Sequence, residues 1–201
     1  MGQAMEPMDL ALVGQVLEGD VQAFNRLVAR WERGIYCFVY RVVGHEEDAR
    51  DLVQETMIRV YQGLDRLKDP AKFPSWLFRI AHNVCLDKLR SGKNRSMISK
   101  ETLVENGMER ILEERIDRFQ GLPDPDEALY RRELSEILGQ ALMTLSEEQR
   151  TALVMREYHG YTSREIADIL GIPVGTVRSR IFHGLRNLER VLRRLRAEEG
   201  R

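Results

Sequence analysis

Several kinds of residue and pattern are scarce in this chain of 201 residues, and each shortage removes a class of function. Its two cysteines, Cys37 and Cys85, stand far apart, with no CxxC pair and no histidine pair beside them. Neither a disulfide framework nor a thiolate metal site is expected, and both thiols are read as small core residues. The four histidines, His45, His82, His159 and His183, fall in different predicted helices. No Ser-His-Asp set, metal-ligand spacing or glycine-rich phosphate loop occurs, so the expectation is a protein that is not an enzyme and takes no cofactor. No apolar run approaches the ~18 residues needed to cross a bilayer, and the N-terminus lacks the basic-then-apolar order of a secretion signal. A cytoplasmic protein is therefore expected. The turn-bounded alternating runs of β-strands are missing too, while apolar residues fall at helical spacing almost throughout.

An excess of one charge is also absent from the whole, since the formal net charge is -1. Its distribution is uneven, however. Residues 79–100 carry six cations against Asp87 alone, and residues 174–201 carry eight arginines against three glutamates. Between them, residues 101–128 hold nine carboxylates against Arg110, Arg115 and Arg118. Two basic blocks around an acidic stretch point to a polyanionic partner touched at two places. Hydrophobic residues at 43% and charged residues at 31% are ordinary for a globular chain.

The expected fold is all-α, with two small helical domains, 8–92 and 127–197, on a flexible linker over 93–126. Breaker clusters at Ser91-Gly92-Lys93-Asn94 and Gly121-Leu122-Pro123-Asp124-Pro125-Asp126 bound that linker, which has room for a short helix at 108–119. The aromatic and β-branched run Ile35 to Tyr40 could pass for a strand. Its upstream neighbours Phe24, Leu27, Val28 and Trp31 at three- and four-residue spacing make it a buried helix.

Near the C-terminus, YTSREIADILGIPVGTVRSRIFHGLRNLERVL reads as helix, tight turn, helix. Thr162 and Glu165 form a capping box, Ile166, Ala167, Ile169 and Leu170 point inward, Gly171 ends the first helix, and Pro173 opens the second. On that second helix Val177, Ile181, Leu185 and Leu188 make an apolar stripe. Gly175, Ser179, Phe182, His183 and Arg186 lie opposite, flanked by Thr176, Arg178 and Arg180. One face to hold a domain and one to read base edges is the layout of a helix-turn-helix. Phe182, an aromatic amid basic residues, packs either on a base or on another helix.

In the N-terminal half, EEDARDLVQETMIRVYQGL puts Ala49, Leu52, Val53, Met57, Val60, Tyr61 and Leu64 on one face, with Asp51, Gln54, Glu55 and Ile58 on the other. From Pro74 onward, Leu77, Phe78, Ala81, Val84, Cys85 and Leu89 share a core side. Trp76, Arg79, Ile80, Asn83, Asp87 and Arg90 share the other, a mixture suited to single-stranded DNA, on which planar side chains stack and arginines hold phosphates. The other reading makes Trp76 an anchor of its own domain.

These strings resemble the extracytoplasmic-function (ECF) sigma factors. GIPVGTVRSRIFHGLRNLE is similar to the family's region 4, and the pattern FxxWLxxIAxNxxxDxxR of regions 2.3 and 2.4 is met at Phe73, Trp76, Leu77, Ile80, Ala81, Asn83, Asp87 and Arg90. The resemblance implies a sigma factor that directs core RNA polymerase to promoters. It implies minus-35 contacts from Thr176, Arg178, Ser179, Phe182, His183 and Arg186, although many members carry Arg at the place of His183. It further implies capture of the melted minus-10 strand by the loop Asp69 to Phe73, with Lys72, Phe73, Trp76, Arg79, Asn83 and Arg90. Docking on the β′ clamp helices would use Asp51, Gln54, Glu55 and Ile58, a further contact would fall on the β flap, and an anti-sigma factor is an implied partner. The rival reading is a two-domain helix-turn-helix regulator that acts without polymerase.

Overall fold

The computed structural model describes residues 5–93 and 137–199. The expected linker and its short helix lie outside the described residues, apart from Lys93. Every described element is helical. In the N-terminal unit these are α1 (Pro7–Leu17), α2 (Val21–Val43), α3 (Glu46–Gly63) and α4 (Phe73–Lys93), with two short 3-10 turns between α3 and α4. The C-terminal unit has α5 (137–143), α6 (Glu147–Leu153), α7 (Ser163–Leu170) and α8 (Val174–Glu199), with a π turn at Val154–Tyr158 after α6.

Side-chain chemistry explains where these helices begin and end. The Asp20 carboxylate accepts from the amides of Gln22 at 2.8 Å and Ala23 at 3.1 Å, which fixes the start of α2. The run Ile35 to Tyr40 is helical, and Ile35, Phe38 and Val39 are completely buried. Arg30 joins α1 to α2: its Nε donates to the buried Asp9 carboxylate at 2.6 Å, and Nη2 donates to Glu6 at 2.5 Å. Inside α3 the Thr56 hydroxyl is satisfied by donating to the Leu52 carbonyl at 2.6 Å.

Two apolar stripes turn out narrower than expected. Tyr61 is 51% exposed, its ring lying 4.8 Å from that of Phe24 at the edge of the core. Leu185 is 45% exposed, and Gly184 faces inward in its place. The reason is helical phase. From Val177, seven steps fall about 20° from a whole number of turns, whereas eight steps fall about 80° away. A Cβ on Gly184 would stand 2.8 Å from Leu153 Cδ1, so glycine is what lets α8 approach α6.

The two units are not independent. A single hydrophobic core runs from Leu27, Ile35 and Phe78 of the first into Met155, Tyr161 and Ile166 of the second. The rings of His159 and Phe78 lie 4.8 Å apart, those of Phe78 and Tyr161 5.2 Å, and those of His159 and Phe38 5.9 Å. Alongside, the Arg41 guanidinium lies 4.0 Å from the centre of the Tyr158 ring. Phe78 and Cys85, expected to fill a core belonging to the first domain alone, therefore lie in a shared one.

Candidate nucleic-acid and polymerase interfaces

The helix-turn-helix is built as its sequence dictates. Thr162 Oγ1 accepts from the Glu165 amide at 3.3 Å, while Glu165 Oε2 accepts from the Thr162 amide at 2.7 Å. The Thr162 hydroxyl also donates to Glu165 Oε2 at 2.7 Å, and this bond, then the one from the Thr162 amide, holds the Glu165 carboxyl below its usual range. Ile166, Ala167 and Ile169 are buried, and Leu170 is half-buried. Gly171 then takes φ 66°, a left-handed conformation that costs glycine nothing, and the chain turns into α8.

On α8, Val177 is fully buried and anchors the helix, while Thr176, Arg178, Ser179, Phe182, His183 and Arg186 are all exposed. Phe182 is 56% exposed; its ring meets His183 edge-on at 5.4 Å and lies 5.8 Å from the Arg186 guanidinium, both on α8 itself. An aromatic left in water among cations on a helix whose other side is core is a surface ready for a polyanion with flat apolar groups.

Residues expected on the second DNA face divide into three groups. Lys72, Asn83 and Arg90 are exposed. Phe73 is a correction: it is 1% exposed, edge-on to Trp31 at 5.8 Å, and belongs to the core. It falls inward because 73, 77, 81 and 84 form one stripe at helical spacing. Trp76 is half-buried, its ring 6.2 Å from Phe73 and laid against Gly63, so it combines a core contact with an open edge. Arg79 reaches across to the C-terminal unit, where Nε donates to the Ile169 carbonyl at 3.0 Å and Nη2 donates to the Asp168 carbonyl. Asp87 is engaged with Arg59 at 3.3 Å, and Lys88 with Asp48 at 2.5 Å, which ties α4 to α3.

The outer side of α3 presents Asp51, Gln54, Glu55 and Ile58 together, all exposed, with Ile58 at 50% and Glu55 paired with Arg59 at 2.6 Å. One apolar side chain thus stands in the open among two acids and an amide. Among the described residues no cluster of histidine, cysteine, aspartate or glutamate could hold a metal ion, and no helix is long and apolar enough to cross a membrane.

Sequence reasoning missed the contact between units. The signal was an aromatic and a histidine in the short segment His159-Gly160-Tyr161, which joins helices and needs no buried rings of its own. His82 lies at this junction. Burial, then the charges of Arg180 and Arg90, push its pKa from 6.5 down to about 4. The unfolded chain thus takes up this proton more readily. The stability contributed by neutral His82 is complete above pH 6.5 and is lost as the pH falls from there toward 4. Thermal unfolding midpoints are expected to drop between pH 7 and pH 5, and His82→Leu to remove part of that drop. Equal drops in both proteins would assign the effect to other groups.

The fold and its exposed faces define a helical DNA-binding protein made of two packed units, the second a helix-turn-helix. Known families sharpen this: the model for sigma-70 region 2 matches residues 27–95, and that for sigma-70 region 4 matches residues 135–188. The ECF RNA polymerase sigma factor SigW of Bacillus subtilis is 34% identical over 191 residues, covering 95% of this chain and all of that one. The ECF RNA polymerase sigma-E factor of Escherichia coli is 36% identical over 174 residues, 87% of this chain and 88% of the relative. This chain belongs to the ECF sigma factors, which act with RNA polymerase in transcription initiation.

Solved structures agree. CnrH, determined in complex with the cytosolic domain of CnrY, gives a TM-score of 0.61 at 25% identity, over 92% of this chain and 97% of that one. The sigma factor RpoE of Bartonella quintana, determined in complex with the anti-sigma factor NepR, shares the fold, with a TM-score of 0.64 at 20% identity over 86% of this chain and 98% of that one.

Proposed function

We propose that this sigma factor reads its promoter in two chemically different forms, the minus-35 element as duplex through α8 and the minus-10 element as melted single strand through α4. The observation that carries the reading is the exposed face of α8, on which Phe182 stands uncovered among Arg178, His183 and Arg186. Thr176 and Ser179 complete the duplex reader, with Thr176 in the first turn of the helix, where backbone amides can approach a phosphate.

The single-strand reader uses Asn83 for base edges, the open edge of Trp76 for stacking, and Lys72, Arg79 and Arg90 for phosphates. Phe73 supports it from the core. The patch Asp51, Gln54, Glu55 and Ile58 docks on the clamp helices of core polymerase, and the β flap receives the C-terminal unit. Polymerase performs the catalysis, and this chain contributes recognition and melting. The complexes of CnrH with CnrY and of RpoE with NepR support an anti-sigma partner for this chain as well.

Transcription in vitro with core polymerase on a library of genomic fragments tests the reading and supplies the promoter. On that promoter Asn83→Ala is expected to lower initiation by roughly fivefold to a hundredfold, the loss of one base-edge contact worth about 1–3 kcal/mol. A template with the minus-10 bases already unpaired should restore only the melting part of the loss. Wild-type initiation by Asn83→Ala, or a duplex complex of the free chain unaffected by core polymerase, would sink the proposal.

A further inference from the structure

We infer that Arg59 is a positioning residue that couples docking on polymerase to capture of the minus-10 strand, because it divides one guanidinium between an acid of the α3 patch and an acid on the outer side of α4. This coupling rests on the assignment of that patch to polymerase and of that side of α4 to the melted strand.

The contacts that carry it lie on the surface between the two helices. Arg59 Nη2 donates to Glu55 Oε1 at 2.6 Å, one turn back on α3. Its Nη1 and Nη2 also donate to Asp87 Oδ2 on α4, at 3.3 and 3.4 Å. Glu55 stands with Asp51, Gln54 and Ile58 on the outer side of α3. Asp87 follows Asn83 by one turn of α4 and precedes Arg90 by another, and all three are exposed. Arg59 therefore bonds to both faces.

Asp87 is an acid on a face that has to accept a polyanion. It repels the phosphates that Lys72 and Arg90 attract, except as far as Arg59 covers its charge. In the free chain that cover is partial, since the short bond goes to Glu55 and the two to Asp87 are long. Two carboxylates share one guanidinium, so the trio holds one negative charge in excess. A polymerase surface that meets the acids of α3 does so with cations or N–H donors, as charge complementarity requires. Once such a group takes Glu55, the guanidinium turns wholly to Asp87. The acid is neutralised, and α4 receives single-stranded DNA more readily.

Only side chains need respond. Lys88 ties α4 to Asp48 of α3 at 2.5 Å, and Val53, Met57 and Val60 of α3 share one core with Leu77, Ala81 and Val84 of α4. The helices keep their places. Arg59, Glu55 and Asp87 are all solvent-exposed, so each pair is weak enough for a partner to redirect and is sensitive to salt.

Holoenzyme assembled with saturating core polymerase, titrated with a single-stranded oligonucleotide carrying the nontemplate minus-10 bases, tests the role. Arg59→Ala is expected to weaken binding about threefold at low salt, and the difference should shrink as salt is raised. Adding Asp87→Asn should restore the lost affinity. An arginine that only tied α3 to α4 would give no restoration, because Asp87→Asn does not rebuild the tie. Excess oligonucleotide should also tighten core polymerase binding about twofold to threefold less for Arg59→Ala than for wild type, since linkage between two ligands is reciprocal. Should Arg59→Ala lose helix content by circular dichroism, Arg59→Gln repeats the test with most of the side chain kept.

Wild-type oligonucleotide binding by the folded variant, or a loss that Asp87→Asn fails to restore, would overturn the screening of Asp87. Equal tightening of core polymerase in variant and wild type would overturn the coupling. Asn83→Ala keeps a failure of the promoter assignment distinct. If Asn83→Ala also binds the oligonucleotide like wild type, α4 is not the reader; if it loses binding while Arg59→Ala does not, the reader stands and Arg59 has no part in it.

Discussion

Replacing Arg178 by alanine is expected to reduce promoter-specific initiation by one to two orders of magnitude while leaving the fold intact. Arg178 is exposed on α8, one residue beyond the fully buried Val177, so its direction is set by an anchor that does not move. Among the described residues, no hydrogen bond or ion pair between the two units involves Arg178. Its side chain is free for a base edge, and a good bidentate contact is worth about 1–3 kcal/mol of discrimination. Loss of such a contact relaxes the base preference at one position. Loss of a mere phosphate contact weakens all sequences alike. Initiation measured on the promoter and on single-base variants of its minus-35 element distinguishes the two. Initiation equal to wild type on every template would remove Arg178 from the duplex reader. Phe182→Ala on the same templates shows whether an apolar contact to a thymine methyl contributes alongside it.

The largest effect on stability is expected from Phe78→Ala. Phe78 is completely buried, and its ring meets Phe38 at 5.3 Å, His159 at 4.8 Å and Tyr161 at 5.2 Å. Truncating a buried phenylalanine costs about 3–5 kcal/mol, and at roughly 2–4 °C per kcal/mol for a chain of this size the unfolding midpoint should fall by about 6–20 °C. Because the ring is shared between units, both should be weakened together. The tryptophan signal, which comes from Trp31 and Trp76 of the first unit, and far-ultraviolet circular dichroism, which reports both, should move to the same lower temperature. Leu185→Ala, at a site 45% exposed, should change the unfolding free energy by less than about 0.5 kcal/mol, a midpoint shift of no more than about 2 °C, and serves as the control. Two separate transitions in the parent chain, with only the first moved by Phe78→Ala, would contradict the common core.

Much of the site was legible because it depends on helical phase. The capping box of Thr162 and Glu165, the turn at Gly171, and the outward set from Thr176 to Arg186 follow from spacing and local hydrogen bonding. So does the patch Asp51, Gln54, Glu55 and Ile58, which needs only the buried positions of α3 to be assigned. Expectation and structure part at the margins of the stripes: Leu185 lies eight residues after Val177 where seven keeps the phase, Tyr61 sits at the edge of its stripe, and Phe73, which the family resemblance sets in a recognition loop, begins the core stripe of α4. The charge blocks were visible too, but not that Asp87 and Lys88 are engaged with Arg59 and Asp48 on α3.

The sequence by itself determined the helices, their caps, the division of each into an inner and an outer face, and with the family motifs the class of protein. All of these arise from interactions within a few residues, whose geometry is set by 3.6 residues per turn. Only the tertiary structure decided which outer faces stay outside. Phe78 and Cys85 look like core whatever covers them, so their periodicity cannot say that the covering comes from His159, Tyr161 and α6. Arg79 looks like a free cation until its carbonyl partners, ninety residues away at Ile169, are brought beside it. Contacts of that separation leave no periodic trace in a chain, because they depend on how two finished surfaces fit.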